Sequence, residues 1–395
     1  MSSPIETSHT LESLGVFESC RPESRPRRRL RVLFIDDCPT GSHAESNHHC
    51  RAFAYLWRRG HGVDHVCVRK ETPAEDAGLW ERWSTVLRNC ADIRRLRRLI
   101  QRGAYHVVTA RGDWPLTAAR WAMAGQSSFF PLLVADRSGM APLASNGRRR
   151  LPASARSSRV CHTLVSTRQD RLALVAAGMK AQRISVVAAG IDVEASRPVN
   201  TYEEARASIG VSPEAPLVCA LGDLDCVDAQ YSFLTGLAML RHHVAGAKAV
   251  IVGHGDKNTL AQALEMLGVM HHVSFVEPGV TMRHYVSAAD VCVCVAGDGT
   301  GERVAHAMAC ARPVVVSVSA DPMELVRHGR DGFVVPDGDA HALAAGMAWM
   351  ISNPVMAEEM AVEARGRVER TFSDRARAHQ LETALINIVE KGGKN

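Results

Sequence analysis

The sequence has no long apolar run. No stretch approaches the roughly 18 to 20 consecutive apolar residues that a membrane-spanning helix requires. The N-terminal segment MSSPIETSHTLESLG also lacks the charged and then apolar pattern of a secretory signal. These two absences predict a cytoplasmic protein.

Signals for cysteine pairing are also missing. The 11 cysteines are scattered, contain no CxxC pair and form no Cys/His cluster at zinc spacing. We therefore expect reduced cysteines that act as small core residues, and no structural metal.

Length and charge are more informative. A chain of 395 residues is too long for one typical core, which predicts two domains. Residues 1–198 carry 31 Lys and Arg against 18 Asp and Glu, whereas residues 199–395 carry 16 against 24. The basic first half predicts contact with an anionic membrane, acceptor or nucleic acid. Because its arginines are not interleaved with aromatic residues, we expect no nucleic-acid partner.

The stretch from Ala289 to Ser319 has the clearest chemical meaning. Alternating Val and Cys residues predict a buried strand, which is followed by a glycine-rich loop at 297–301. A helix is expected from about Glu302 to Cys310, ended by Pro313, and then another strand. Glycines at a helix N-terminus let the backbone approach a ligand, and the unpaired amides there favour an anion. The loop is therefore either a phosphate site or a tight turn without a ligand.

The same alternation of strands and helices runs through both halves of the chain, which predicts an α/β fold with two doubly wound domains. Residues 1–29 are interpreted as a disordered basic arm, 30–198 as an N-terminal domain, 199–372 as a C-terminal domain, and 373–395 as a helix that returns to the N-terminal domain. Strands are predicted at 30–36, 61–68, 105–110, 130–135, 161–166, 184–187, 217–221, 247–252, 273–276 and 332–335. Further helices are predicted at 45–59, 88–102, 229–242, 258–267, 282–288, 323–328, 340–351, 354–371 and 373–390.

Residues 88–102 form the most basic predicted helix. Its apolar positions lie among six arginines, a pattern typical of a helix that binds anionic lipid. The alternative is an ordinary surface helix whose apolar stripe faces the core and whose arginines are solvated.

Several segments together resemble the retaining, nucleotide-sugar-dependent glycosyltransferases of the GT-B fold, group 1 or family 4 type. SVVAAGIDVEASRP resembles their inter-domain segment, and LVCALGDLDCVDAQ resembles their "VGRL…KG" segment. HYVSAADVCVCVAGDGTGERVAHAMACARPVVVS resembles the signature EGFGLVLLEAMACGxPVV. The resemblance implies two Rossmann-like domains facing across a cleft, with the nucleotide sugar on the C-terminal one and the acceptor on the N-terminal one.

The resemblance also assigns roles within the signature. Its first Glu, which contacts the transferred sugar, corresponds to Asp298, and its second Glu, which contacts the nucleotide ribose, corresponds to His306. Asp keeps the carboxylate, whereas His has no pair of acceptor oxygens. The backbone amides of Gly299, Thr300 and Gly301 remain suited to a diphosphate.

Two further positions reverse their charge. The family's diphosphate-binding Arg and Lys correspond to Asp223 and Asp228, and carboxylates there repel a diphosphate. One compensation is a divalent cation held by Asp223, Asp225 and Asp228. Another is a positive charge from Arg303 or Lys257. The three aspartates are otherwise only part of a polar loop, and we predict no metal or cofactor beyond the donor substrate.

The N-terminal half matches the family more loosely. Asp136 and Arg137 stand where the family places a His near the reacting groups, so Asp136 is a candidate base and Arg137 a candidate charge stabiliser. Gly41 corresponds to a glycine against the donor phosphate. Glu277 lies in the loop that meets the nucleobase. The predicted catalytic residues are therefore Asp298, Asp136 and Arg137.

These assignments predict a hexosyltransferase that acts with retention on a glycan or lipid-linked acceptor. Cell-surface polysaccharide or glycolipid synthesis fits this activity, as does peripheral binding to the inner face of the membrane. The altered residues also support a different interpretation, a glycosyltransferase-like protein without catalysis that serves as a binding or regulatory module.

Overall fold

The computed structural model describes residues 28–37, 45–68, 79–125, 131–137, 160–188, 190–194, 196–198, 201–277, 282–295, 300–321 and 324–392. The predicted basic arm lies outside these residues except for 28 and 29. Two compact units are formed. We call Met1–Gly190 with Asp374–Asn395 the N-terminal unit, and Ile191–Ser373 the C-terminal unit.

The N-terminal unit contains a parallel sheet of six strands in the order β2-β1-β3-β4-β5-β6. Its strands are β1 (Arg31–Asp36), β2 (Gly62–Cys67), β3 (Val107–Arg111), β4 (Leu132–Asp136), β5 (Val160–Val165) and β6 (Ile184–Val186). Its helices are α1 (Glu45–Arg58), α2 (Leu79–Arg102), α3 (Asp113–Ala122), α4 (Arg168–Ala176) and α12 (Asp374–Gly392).

The C-terminal unit repeats this architecture with the strand order β12-β11-β10-β7-β8-β9. Its strands are β7 (Leu217–Leu221), β8 (Lys248–Val252), β9 (Val273–Val276), β10 (Val291–Cys294), β11 (Val314–Ser317) and β12 (Phe333–Val335). Its helices are α5 (Tyr202–Ser208), α6 (Val227–His243), α7 (Ala261–Met266), α8 (Met282–Ala288), α9 (Thr300–Ala309), α10 (Ala340–Ser352) and α11 (Pro354–Arg367), followed by a π-helical turn at Val368–Phe372.

The predicted doubly wound α/β architecture is confirmed in both units. Its cause is visible in β1, where successive side chains point to opposite faces of the sheet. Leu33 and Ile35 pack in a core with α2 and α3, whereas Val32 and Phe34 pack in a second core with α1 and α12. A strand covered by helices on both faces needs apolar residues at every position, which explains the continuous apolar run.

One predicted helix, at 323–328, is wrong. Residues 324–327 form no helix, and Glu324 has a left-handed φ of 52°. The Asp321 carboxylate accepts the backbone N–H groups of Leu325 and Val326, both at 2.8 Å. These hydrogen bonds give the backbone donors partners outside a helix, so the loop competes successfully with the helical pattern.

The basic helix is longer than predicted, since α2 begins at Leu79. Leu96 and Ile100 are buried in the core, and Ile93 and Leu99 pack against it. The apolar stripe is therefore not available for insertion into a lipid bilayer. Exposed side chains include Arg94, Arg95, Arg98 and Arg102. Within the described residues, no helix is long and apolar enough to cross a membrane.

A polar cluster around the buried Glu382 holds α12 against the rest of the N-terminal unit. Glu382 is 2% exposed and accepts hydrogen bonds from Arg59 Nε at 3.2 Å and from His61 Nε2 at 2.9 Å. His61 Nδ1 accepts the backbone N–H of Leu30 at 3.0 Å, so the ring hydrogen lies on Nε2 and points at Glu382.

Replacing Glu382 by glutamine is expected to lower the free energy of unfolding of the N-terminal unit by about 1–3 kcal/mol, because the buried His61 and the half-buried Arg59 lose a charged acceptor. Chemical denaturation measures this loss, and hydrogen exchange in residues 374–392 should increase. Glu390→Gln, at an exposed position of the same helix, is the matched control. Equal effects of the two variants would contradict the prediction.

Candidate functional site

The sheet of the C-terminal unit reverses its strand order between β7 and β10. In open parallel sheets, ligands bind beyond the carboxyl ends of the strands at such a reversal. Gly222 and Asp223 follow the end of β7, and α9 is the first helix after β10. The Asp223 segment and the signature helix therefore meet at one edge of one sheet.

Gly253 allows the backbone segments after β7 and β8 to approach each other closely. A Cβ atom at Gly253 would lie 2.0 Å from the carbonyl oxygen of Gly222, closer than atoms can approach. The buried Gln230 side chain donates to the carbonyls of Gly222 and Asp223 at 3.0 and 3.2 Å. Gln230 was not among the predicted site residues, although this residue lies within a segment that carries the family resemblance.

An ion pair joins Asp223 to α9. Arg303 Nη2 lies 2.7 Å from Asp223 Oδ1, which also accepts the backbone N–H of His254 at 3.0 Å. Burial raises the pKa of Asp223, but the hydrogen bonds from Arg303 and from the His254 backbone, together with the Arg303 charge, outweigh this effect and lower the pKa below its ordinary value. Asp223 is therefore an ionised carboxylate whose negative charge is balanced by Arg303. Of the two predicted sources of positive charge, Arg303 is the one in contact with it.

His306 lies one helical turn after Arg303 on the same face of α9. Its Nδ1 atom is 2.9 Å from the Ser196 hydroxyl oxygen. Its Nε2 atom and the Nη1 atom of Arg303 are buried and have no hydrogen-bond partner among the residues that the structure describes. Burial lowers the pKa of His306 to about 4, and the charge of Arg283 contributes. The ring is therefore neutral at pH 7.

The N-terminal unit contains a second half-buried histidine of this kind. His162 Nε2 lies 2.8 Å from the Ser185 hydroxyl oxygen, and burial, aided by the charges of Lys391 and Arg183, lowers the pKa of His162 to about 4.

Between pH 6.5 and pH 4, an unfolded chain binds protons at these two positions that the folded chain does not bind, since the ordinary pKa of histidine is about 6.5. The free energy of unfolding is therefore expected to decrease as the pH falls through this range. Denaturation at a series of pH values should give a flatter profile for His306→Gln and for His162→Gln than for the wild type. His341→Gln, exposed on α10, should leave the profile unchanged. A wild-type profile that does not fall would contradict this expectation.

Several other predicted site residues lie in or next to segments that the structure does not describe. Asp298, Gly299 and Gly41 lie outside the described residues, as does the side chain of Thr300, the first residue of α9. Gly301 is buried in the first turn of α9.

Asp228 is exposed in the first turn of α6, and Glu277 is exposed after β9. Asp225 and Lys257 are also exposed. In the described part of the chain, no group of three or more His, Cys, Asp or Glu side chains is arranged to hold a metal ion, and the aspartates at 223, 225 and 228 are all described.

Asp136 and Arg137 are brought together at the carboxyl end of β4 in the N-terminal unit. Asp136 is buried, and Arg137 Nη1 lies 3.9 Å from Asp113 Oδ1. The buried Arg377 of α12 lies near enough to Asp136 and Arg111 for their charges to affect its pKa. Burial lowers the pKa of Arg377, an effect that Asp136 opposes and Arg111 reinforces. Sequence reasoning did not find Arg377, which is 241 positions away from Asp136 in the numbering.

A second polar cluster stabilises β10, the strand that precedes α9. None of its residues was among the predicted site residues. Arg206 is fully buried, and its guanidinium donates to the backbone carbonyls of Ser212, Ala215 and Ala288. It also lies 3.3 Å from Asp290 Oδ2, and the same carboxylate oxygen accepts the backbone N–H of Leu217 at 2.7 Å. Asp290 directly precedes β10, so the cluster joins the starts of β7 and β10.

The part of the chain that contains this site matches a known protein family. Residues 215–353 match the family described as glycosyl transferases group 1. The matched span covers β7 to α10 and therefore includes Asp223, Arg303 and His306.

Similar proteins carry related descriptions. The amylovoran biosynthesis glycosyltransferase AmsK of Erwinia amylovora is 28% identical over 151 residues, which cover 35% of this chain and 37% of AmsK. The uncharacterized glycosyltransferase MJ1607 of Methanocaldococcus jannaschii is 30% identical over 173 residues, which cover 42% of this chain and 44% of MJ1607. The alignments thus span less than half the length of either relative.

The crystal structure of Alr3699/HepE from Anabaena, in complex with UDP and glucose, has the same fold. Its TM-score is 0.65 at 18% sequence identity, and the alignment covers 90% of this chain and 99% of HepE. HepE has also been crystallised with UDP-glucose. The likeness confirms the predicted GT-B class of α/β fold.

Proposed function

We propose that this protein is a glycosyltransferase that transfers a hexosyl group, with retention, from a nucleotide sugar bound to the C-terminal unit. The observation that carries the proposal is the reversal point between β7 and β10. There, close-packed glycine backbone, the start of α9 and the Arg303–Asp223 pair meet at one sheet edge. The family match over residues 215–353 supports the same conclusion.

The proposed reaction requires little covalent chemistry from the protein itself. In transfer from a nucleotide sugar, the protein chiefly orients the donor and stabilises the departing diphosphate with fixed hydrogen-bond donors. Backbone amides near Gly299 and Gly301 and the side chain of Arg303 are the proposed donors. Asp298 is the proposed contact to the transferred sugar. Asp136 and Arg137 are the proposed acceptor-side residues.

Uridine diphosphate is the first donor nucleotide to test, because HepE has been crystallised with UDP and with UDP-glucose. A glycan or lipid-linked precursor of a cell-surface polysaccharide is the proposed acceptor, in line with the description of AmsK. The exposed arginines of α2 suit an anionic acceptor or an anionic membrane surface, which they would meet by charge alone.

A second candidate function is binding without catalysis. The observation that favours it is the ion pair itself, because Asp223 neutralises the cation that would otherwise face a diphosphate. A protein of this kind would bind a nucleotide or a sugar and regulate another process.

Titration of UDP, GDP and ADP and their sugars into the purified protein, with and without magnesium, separates these functions. We expect binding of at least one nucleoside diphosphate without a requirement for metal, and slow hydrolysis of its sugar conjugate. Binding without any hydrolysis or transfer would favour the regulatory function. Absence of binding at millimolar concentrations of every nucleotide would overturn the proposal.

A further inference from the structure

A groove with a volume of about 680 Å³ lies beside β6, the edge strand of the sheet in the N-terminal unit. It is lined by the first half of α4, the middle of α12 and β6 itself. Its volume is within the range of roughly 300–1,000 Å³ that is typical of small-molecule sites. The proposed acceptor-side residues Asp136 and Arg137 stand at the end of β4, which β5 separates from β6. The groove is therefore a separate place at which a ligand can be sought.

Two arginines of α4 line this groove. Arg168 and Arg171 are exposed and lie three positions apart, so both guanidinium groups stand on one face of the helix. Among the described residues that line the groove, none is acidic. Asp170 of the same helix accepts a hydrogen bond from the Thr167 hydroxyl at 2.8 Å, and Glu382 of α12 is the buried acceptor described above. The lining therefore favours an anion.

A histidine beneath the groove gives independent support for positive charge at this place. The hydroxyl oxygen of Ser185, a residue of the lining, is 2.8 Å from His162 Nε2. Besides burial, the charges of Lys391 and Arg183 contribute to the lowered pKa of His162. Two further cations thus act on the polar groups next to β6, in addition to the two arginines of α4.

Aliphatic side chains complete the lining. Leu172 is 66% exposed and Val186 is 37% exposed, while Ile184 and Ala384 are buried. Contact of the two exposed side chains with an aliphatic chain would remove apolar surface from water. No Phe, Tyr or Trp is present in the described lining, so the groove has no aromatic ring on which a nucleobase could stack.

A peptide strand is a poor occupant for this edge of the sheet. β6 has only three residues, Ile184–Val186. After β6, the backbone N–H of Val187 donates to the Val165 carbonyl, and that of Ala188 donates to Gln380 Oε1 at 3.0 Å. So short an edge offers few hydrogen bonds to an added strand. A small ligand that is held by side chains fits the groove better.

We propose that this groove binds one molecule of an amphiphilic anion, with its phosphate or carboxylate group at Arg168 and Arg171 and its aliphatic chain along Leu172 and Val186. The ligand is a single molecule and not a bilayer surface, because the buried Ala384 in the lining is reached only by a chain that enters the groove. The exposed arginines of α2, which suit a membrane surface, belong to another helix. The inference does not depend on the proposed transfer of a hexosyl group.

Calorimetric titration of the full-length protein tests the ligand class with three probes: octyl phosphate below its micelle concentration, inorganic phosphate and 1-octanol. We expect octyl phosphate to bind at a single site. Inorganic phosphate and 1-octanol are each expected to bind at least about 10-fold more weakly, because each lacks one half of the interaction. Inorganic phosphate that binds as tightly as octyl phosphate would overturn the role of the aliphatic chain, and 1-octanol that binds as tightly would overturn the role of the arginines.

Variants place the ligand in the groove. Arg171→Gln is expected to weaken octyl phosphate binding about 2- to 5-fold, the range for one exposed ion pair, and a double variant with Arg168→Gln about 10-fold. Leu172→Ser should weaken binding of octyl phosphate and leave that of inorganic phosphate unchanged. All three positions are exposed, so these variants should fold. Lys180→Gln removes an exposed positive charge that follows α4 outside the lining, and it is the matched control that should have no effect.

Vesicles of phosphatidylglycerol distinguish the single amphiphile from a membrane surface. If the protein bound vesicles but not monomeric octyl phosphate, or if the double variant bound octyl phosphate as tightly as the wild type, the proposed site would be wrong. None of these titrations uses a nucleotide. A failure of this inference therefore leaves the proposed function in place, and absence of nucleotide binding leaves this inference in place.

Discussion

Replacing Arg303 by alanine is expected to weaken UDP binding by roughly 10- to 150-fold, the loss that corresponds to about 1.5–3 kcal/mol for a hydrogen bond involving a charged group. Arg303 is the cation paired with Asp223, and within the described part of the chain its Nη1 atom has no hydrogen-bond partner. The variant removes that donor and also leaves Asp223 as an uncompensated carboxylate near the ligand. Isothermal titration with UDP measures the change.

Two variants sharpen this test. Asp223→Asn keeps an oxygen that can accept from Arg303 and from the His254 backbone but removes the negative charge, so UDP binding should become tighter. Arg330→Ala removes an arginine of the same unit whose side chain is 64% exposed, and UDP binding should not change. If Arg303→Ala bound UDP as well as the wild type, the role of α9 in diphosphate binding would be wrong.

The second large effect is expected for Arg206→Ala, which should lower the free energy of unfolding of the C-terminal unit by roughly 3–5 kcal/mol. The variant removes a fully buried cation from its ion pair with the half-buried Asp290 and from three buried or partly buried backbone acceptors. Asp290 loses its cation, and the carbonyls of Ser212 and Ala288 lose a buried donor. The ring of Tyr202, over which the guanidinium lies at 4.9 Å, loses a packing partner. Chemical denaturation with a probe in the C-terminal unit measures the loss.

A matched control is available in Arg365→Ala. Arg365 forms an i,i+4 ion pair with Glu369 at 2.9 Å, and Glu369 is 46% exposed. Exposed helical pairs contribute only about 0.3–0.5 kcal/mol, so this variant should be close to the wild type. Similar losses for the two variants would show that burial of the Arg206 cluster is not what stabilises the unit.

The architecture could be predicted from local pattern. Short apolar strands alternate with amphipathic helices, and this order allows few arrangements other than doubly wound parallel sheets. The glycine-rich segment before α9 predicts a ligand site at the carboxyl end of β10, and the strand order of the structure places a reversal point between β7 and β10. The helix predicted at 323–328 was wrong because the Asp321 carboxylate supplies hydrogen bonds that no periodicity reveals.

The chemistry of the site depended on contacts that no local pattern contains. From the sequence, Asp223 is an unfavourable charge beside a diphosphate, and Arg303 and Lys257 are two candidate counter-charges between which the sequence does not choose. The fold brings Arg303, 80 positions away, to 2.7 Å from it. Ser196 lies 110 positions from His306, and Arg206 lies 84 positions from Asp290.

The amino-acid order was therefore sufficient for the fold class and the family resemblance, because these follow from short-range periodicity and from motifs read within one segment. Which cation balances Asp223, which hydroxyl contacts His306 and which arginine supports β10 were decided only by tertiary structure. Electrostatic and hydrogen-bond energies depend on distances of a few ångströms and on burial, and only the folded chain sets these for residues far apart in sequence.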